Sequence, residues 1–65
     1  MSKIKTNYYL AVYNCENNSE RFYFEIEFTK DSELPAKVQN ILNAHNNYLQ
    51  SKYSTFNMTF LTKLN

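Results

Sequence analysis

Apolar and polar residues alternate between positions 21 and 29, which predicts a β-strand with one buried side and one solvent-exposed side. Every second position is apolar: Phe22, Phe24, Ile26 and Phe28. The positions between them are Arg21, Tyr23, Glu25 and Glu27. Because successive side chains of a strand point to opposite faces, the pattern indicates a sheet with one face packed on a core and the other face in water.

A similar alternation in residues 4–14 predicts a first strand that pairs with residues 21–29 as an antiparallel hairpin. One side of this strand carries Ile4, Thr6, Tyr8, Leu10 and Val12. The other side carries Lys5, Asn7, Tyr9, Ala11 and Tyr13. The polar segment between the strands predicts a loop of roughly five or six residues. Because the chain contains no glycine, Asn or Asp is expected wherever a turn requires a positive φ.

A helical periodicity then replaces the alternation and predicts a helix over residues 33–51. Asp31 or Ser32 is suited to cap its start, and Pro35 fits the first turn, where backbone N–H groups have no intrahelical partner. The apolar positions follow the spacing of one helix face. They are Leu34, Val38, Ile41, Leu42, His45, Tyr48 and Leu49.

Residues 54–64 return to alternation and predict a third strand, rich in β-branched and aromatic residues. One side of it carries Phe56, Met58 and Phe60. The other side carries Thr55, Asn57, Thr59, Leu61 and Lys63. Phe24 and Phe60 are both expected in the core.

The predicted order is β-β-α-β. This is an α+β fold in which a three-stranded, mostly antiparallel sheet packs one face against one amphipathic helix. The 65 residues are expected to form a single small domain. Sheet order 2-1-3 is preferred over a parallel pairing of the third strand with the second, because antiparallel pairs are commoner and a lone parallel pair is weaker.

Composition and charge exclude several classes of site. Cys15 and His45 are the only residues of their types, so the chain can form neither an internal disulfide nor a four-ligand zinc site. No cofactor is expected. The formal net charge of +1 gives no general attraction to nucleic acid or to an anionic membrane. Without a secretory signal or an apolar run that could span a bilayer, the chain is expected in the cytoplasm.

Two residue pairs are candidates for catalysis, and neither has the required setting. A Cys15–His45 pair would need hydrogen-bond contact and an orienting group, yet neither residue lies in a recognisable motif. Glu25 and Glu27 share one face of a strand, but paired carboxylates work across a cleft, which an open sheet face does not offer. The chain is therefore expected not to be an enzyme.

The solvent-exposed face of the predicted sheet is the candidate binding surface. Its partner-binding residues are expected to be Tyr9, Tyr13, Tyr23, Glu25, Glu27, Asn57 and Leu61. Tyrosine favours a protein partner, because it buries a large area and keeps a hydrogen-bonding tip. The alternative is single-stranded nucleic acid, whose bases could stack on the tyrosines. The two glutamates oppose that alternative because they repel phosphates.

The remaining expectations concern the partner. A three-stranded sheet has two unpaired edges, and closed two-fold dimers are the commonest oligomers, so a homodimer is expected. The chain is also similar to the small early proteins of phages and mobile elements that inhibit a host or defence protein. It shares with them shortness, residues encoded by A/T-rich codons, no catalytic motif and a compact α+β unit. The resemblance implies a non-enzymatic inhibitor that covers a partner's surface.

Overall fold

The computed structural model describes residues 3–65 and confirms the α+β fold with element order β-β-α-β. A short 3-10 turn precedes the helix. The elements are β1 (Lys5–Cys15), β2 (Asn18–Phe28), the 3-10 turn (Asp31–Glu33), α1 (Leu34–Lys52) and β3 (Phe56–Lys63). The strand order is β2-β1-β3, and β1 pairs antiparallel with both neighbours. The preferred sheet order is therefore confirmed, and the parallel alternative is wrong.

The hairpin loop between β1 and β2 is shorter than predicted. Cys15 pairs with Asn18, so Glu16 and Asn17 alone form the loop. Glu16 takes a φ of 53°, so the expectation that Asn or Asp supplies the positive φ is wrong. The Glu16 carboxylate accepts hydrogen bonds from the Ser54 N–H at 2.8 Å and the Ser54 hydroxyl at 2.5 Å. These bonds offset part of the cost of the left-handed backbone conformation.

The even number of residues in this loop determines which side of β1 faces the helix, and this side is the opposite of the predicted one. Directly paired residues share a sheet face. Ala11 pairs with Phe22, and Tyr9 pairs with Phe24. A two-residue loop pairs odd-numbered with even-numbered positions, and a six-residue loop would do the same. The predicted faces correspond to a five-residue loop, which pairs even with even. Tyr9, Ala11 and Tyr13 therefore lie beside the β2 phenylalanines, under α1, and not in water.

A β-bulge changes the side-chain alternation of β3. Met58 pairs with Tyr13 and Phe60 pairs with Val12, which leaves Thr59 as the extra residue. The Thr59 hydroxyl donates to the Val12 carbonyl oxygen at 3.0 Å. Because the bulge inserts one residue, Phe60 points to the face opposite Met58. The expectation that Phe60 is in the core is wrong, since half of its surface is exposed.

The core lies between α1 and the covered face of the sheet. Its fully buried members are Ala11, Tyr13, Cys15 and Leu49. The partly buried side chains packed against them are Phe22, Phe24, Tyr53, Phe56 and Leu61. Ala11 alternates on this side of β1 with Tyr9 and Tyr13, and it belongs to the same buried cluster as Leu49 of α1.

His45 lies in an aromatic cluster between α1 and the sheet. Its ring stacks on Phe22 with centroids 4.2 Å apart. Tyr13 and Phe24 approach the His45 ring edge-on, with centroid distances of 5.8 and 5.4 Å. The Tyr13 hydroxyl is 3.3 Å from His45 Nδ1. His45 is therefore a packed residue on the apolar helix face, as its position in the helical pattern predicts.

Polar contacts at both ends of α1 connect the helix and its flanking residues to β2 and to Thr29, which follows β2. At the start of the helix, the Glu33 carboxylate accepts from the Thr29 N–H at 2.9 Å, while Pro35 lies in the first turn as predicted. Neither Asp31 nor Ser32 caps α1, because both lie in the 3-10 turn.

At the end of the helix, the Glu20 carboxylate accepts from Lys52 at 3.0 Å and from the Tyr53 hydroxyl at 2.6 Å. Together with the contacts at the start of the helix, these bonds hold α1 over one face of the sheet and leave the other face uncovered.

Candidate functional site

We call the sheet face that α1 leaves uncovered the open face. Its side chains form three rows across the sheet, two at directly paired positions of β2, β1 and β3 and the third completed by Leu64. The first row is Arg21–Val12–Phe60, the second is Tyr23–Leu10–Thr62, and the third is Glu25–Tyr8–Leu64. Leu64 follows the end of β3 and joins the third row through its N–H, which donates to the Tyr8 carbonyl oxygen at 2.7 Å.

The open face carries large apolar side chains that water reaches. Tyr23 exposes 67% of its surface and Phe60 exposes 50%. Tyr8 and Leu64 are about as exposed as Phe60, while Leu10 lies at the centre and is shielded by its neighbours. A contiguous group of exposed apolar side chains on a small domain marks an interaction surface more often than scattered single residues do.

A shallow depression of about 320 Å³ lies at one end of the open face. Tyr8, Tyr23, Glu25 and Leu64 line it, together with residues of the adjacent strand positions. It is open to solvent, so it cannot exclude water from a reacting group as an enzyme cleft does. Its apolar walls and single carboxylate suit a side chain of another protein.

The charges of the open face lie along β2, at one border of the apolar group. Arg21, Glu25 and Glu27 are all exposed and point to this face. The two carboxylates outnumber the guanidinium, so this border has a net negative charge. A hydrophobic centre with a charged border is the usual composition of a protein–protein interface.

The structure divides the predicted partner-binding residues between the two faces of the sheet. Tyr23, Glu25, Glu27 and Asn57 lie on the open face. Tyr9, Tyr13 and Leu61 lie on the face that α1 packs against. The prediction that all seven share one solvent-exposed face is therefore wrong. Tyr13 is only 2% exposed, so it has no surface to offer a partner.

Sequence reasoning missed five apolar members of the open face. They are Tyr8, Leu10, Val12, Phe60 and Leu64. The residues of β1 that belong to this group alternate with equally apolar residues, so periodicity alone could not choose between the two sides. Their side is set by the even number of residues in the hairpin loop, which the polar segment between the strands does not reveal.

The two reactive residues of the chain are in settings that suppress their chemistry. Cys15 is fully buried, and burial, then the negative charge of Glu20, raises the pKa of its thiol. The thiol therefore stays protonated, and a protonated thiol is a weak nucleophile. Burial also lowers the pKa of His45, whose Nδ1 is near the Tyr13 hydroxyl. The arrangement stabilises a neutral, packed imidazole.

Residues 3–65 hold neither a metal-binding cluster nor a membrane-crossing helix. No group of three or more His, Cys, Asp or Glu side chains in this part of the chain is placed to hold a metal ion. Within the same residues, no helix has the length and apolar character needed to cross a bilayer.

Comparisons with protein-family models, with curated proteins and with solved structures found no match for this chain.

Proposed function

We propose that this chain is a small, non-enzymatic protein-binding module and that the open face is its binding surface. The observation that supports this most directly is the group of exposed apolar side chains on the open face, with Tyr23 and Phe60 at least half exposed. Burying them against another protein releases water from apolar surface, which is the main favourable term in association. Tyrosine and phenylalanine are also residues that protein interfaces prefer.

A protein partner fits this face better than single-stranded nucleic acid does. Tyr8, Tyr23 and Phe60 could stack on bases, but the charged border has two carboxylates and one guanidinium. Nucleic-acid binding depends on neutralising phosphates with lysine and arginine. Arg21 is the single basic residue in the three rows, and Glu25 lies two residues away from it on the same strand.

The proposed mode of action is occlusion of a partner's surface. In residues 3–65 the one thiol is buried and the depression on the open face is open to solvent. A module of this kind can act by covering a site on another protein. We therefore propose that a phage or mobile element encodes this chain and that the chain inhibits a host or defence protein. We also propose that it forms a homodimer. The proposal that the open face binds protein does not depend on the source of the gene.

Site-specific photo-crosslinking tests the proposed surface. A benzophenone amino acid replaces Tyr23 on the open face, and in a matched control it replaces Asn47, which is exposed on α1. After irradiation in bacterial cells, position 23 is expected to give discrete protein adducts and position 47 is not. Equal adducts from both positions, or none from position 23, would contradict the proposal.

A binding assay tests the nucleic-acid alternative. Fluorescence polarisation with a labelled single-stranded oligonucleotide at low salt is expected to show no saturable signal. A signal that falls with added salt and disappears in the Tyr23→Ser variant would replace the protein-binding proposal with nucleic-acid binding through the same face.

A further inference from the structure

We infer that the open face binds a second copy of this chain, face to face, about a two-fold axis that runs along the row Tyr23–Leu10–Thr62. This inference rests on the proposed function, because it names the occupant of the same surface. The two sheets would form a sandwich with an α1 helix on each outer side. The supporting observation is that the open face is complementary to itself about this row.

The axis follows from the order of the rows. A two-fold rotation about the central row leaves that row facing its own copy and exchanges the two flanking rows. It therefore places each member of Arg21–Val12–Phe60 over the corresponding member of Glu25–Tyr8–Leu64 in the second copy. Each strand lies over the same strand of the other copy, running in the opposite direction.

Charge complementarity sets this arrangement apart from others on the same face. Arg21 lies over Glu25 of the second copy, and Glu25 lies over its Arg21, which gives two ion pairs at the border. The alternative axis, parallel to the strands, would place β2 over β3 and leave these charges opposite Phe60 and Leu64. A buried unpaired charge, or two like charges in contact, costs more free energy of association than an ion pair contributes, so interfaces avoid such contacts.

Apolar complementarity holds along β1 and β3. Val12 lies over Tyr8 of the second copy, Phe60 lies over Leu64, and Leu10 lies near its own copy on the axis. Face-to-face sheets pack about 10 Å apart, which is the space that two layers of such side chains fill. The exposed apolar surface of both copies is buried in one step.

The polar ends of the face also correspond. Beyond the first row lie Ser19 and the paired residues Asn14 and Asn57. Beyond the third row lie Glu27 and its pair Thr6. The rotation brings one polar end over the other, so no charged residue is buried against the apolar centre.

The sheet edges fit a second copy less well than the open face does. On the β2 edge, Lys37 Nζ donates to the Glu27 carbonyl oxygen at 2.7 Å, so part of the edge is already occupied. On the β3 edge, the bulge at Thr59 interrupts the regular ladder. Lysines and bulges are devices by which proteins prevent edge pairing. Neither edge needs to be invoked for the homodimer.

The size of the contact predicts a reversible dimer. The three rows and their polar ends cover about 30 Å along the strands and about 14 Å across them on each copy. This is at the small end of specific protein interfaces.

A foreign protein that uses the open face must displace the second copy, so its apparent affinity should fall as the concentration of this chain rises.

An isotope-filtered nuclear Overhauser experiment tests the arrangement directly. One half of the chains is labelled with 13C and 15N and mixed with unlabelled chains. Tyr8 and Val12 are four residues apart on one extended strand, about 13 Å at 3.3 Å per residue, so a contact between them cannot arise within one chain. The expected result is intermolecular cross-peaks from Tyr8 to Val12 and from Phe60 to Leu64.

A charge exchange provides the second test, read by light scattering or sedimentation across a concentration series. Arg21→Glu or Glu25→Arg alone turns two attractive contacts into two repulsive ones and is expected to weaken dimerisation about tenfold. The double variant is expected to restore it. Lys63→Glu is the matched control, because it makes the same charge change on the other face of the sheet and should have no effect.

Three outcomes overturn the inference. They are a monomer at every concentration, a dimer without the intermolecular cross-peaks, and a double variant no better than the single ones. A monomer that still gives crosslinks to a foreign protein from position 23 would overturn the inference alone and leave the proposed function standing. The absence of every adduct from that position would remove both.

Discussion

At the scale of single residues, burial decides what the ionisable side chains do. His45 contacts three aromatic rings, and its Nδ1 is near a tyrosine hydroxyl. Cys15 is enclosed by the core. Burial raises the pKa of Cys15 and lowers the pKa of His45. Both shifts favour the neutral form, since taking a charge out of water is costly. These two residues stabilise the fold and leave the surface chemistry to other side chains.

The pKa of His45 predicts a loss of stability on acidification. Burial lowers the pKa of His45 in the folded state. As the pH falls, His45 therefore binds a proton in the unfolded chain before it does so in the folded chain, near the ordinary histidine pKa of about 6.5. The free energy of unfolding should be constant above that pH and should fall as the pH drops through about 6.5 toward the lower folded pKa. Urea unfolding at a series of pH values measures it.

The His45→Gln variant is the control for this pH dependence, because it cannot titrate. Its stability should be independent of pH between neutrality and about pH 5, where carboxylates with an ordinary pKa of about 4.3 begin to protonate. The folded-state pKa values of Glu16, Glu20 and Glu33 are lowered by their hydrogen bonds, so their contributions are lost only in more acidic solution. An equal slope in both proteins would show that His45 is not the group responsible.

At the scale of elements, the sequence predicts which segments are strands and helix better than it predicts which sides they present. The alternation over β2 identified Phe22 and Phe24 as core-facing, because the positions that alternate with the apolar ones along this strand are mostly charged. The face of β1 depended on whether the hairpin loop has an even or an odd number of residues. The tight turn could not be recognised in the sequence, because Glu16, and not Asn or Asp, takes the positive φ. The bulge at Thr59 has no mark in the alternation, so Phe60 was placed on the wrong side.

Loop insertions test the dependence of the faces on loop length. Two glycines between Glu16 and Asn17 keep the pairing of odd with even positions, and each doubling of loop length costs only about 0.6 kcal/mol. One glycine at the same place changes that pairing and directs the wrong side of β1 toward α1. The single insertion should therefore lower the free energy of unfolding several times more than the double insertion, as measured by urea unfolding.

The contrary result would be a stability that falls steadily with the number of inserted glycines. In that case the length of the loop, and not the pairing that it fixes, would control the stability of the hairpin.

At the scale of the whole molecule, one helix covers one face of the sheet and leaves apolar side chains on the other. The sequence predicted the architecture and a two-sided sheet, and it placed Tyr23, Glu25, Glu27 and Asn57 on the surface that the structure leaves open. It could not identify the apolar centre of that surface, because β1 is apolar on both sides. The open face is consequently the feature that distinguishes this molecule from a fully covered domain.

Two truncations separate the core from the open face. Leu49 is fully buried under α1, so Leu49→Ala should cost about 2–5 kcal/mol, enough to unfold much of so small a domain. Phe60→Ala removes a larger side chain that is half exposed, so it should cost far less when measured on dilute protein. Thermal unfolding followed by circular dichroism makes the comparison, and equal losses would mean that Phe60 belongs to the core.

The most direct measurement of the central claim is a series of 13C methyl spectra recorded as the protein is concentrated. Leu10, Val12 and Leu64 report on the open face, while Leu49 and Ile26 report on the covered core. The open-face methyl signals should shift with concentration while the core signals stay constant. Shifts that are equal on both faces, or that leave the open-face methyls unchanged while the protein associates, would contradict the assignment of the open face as the association surface.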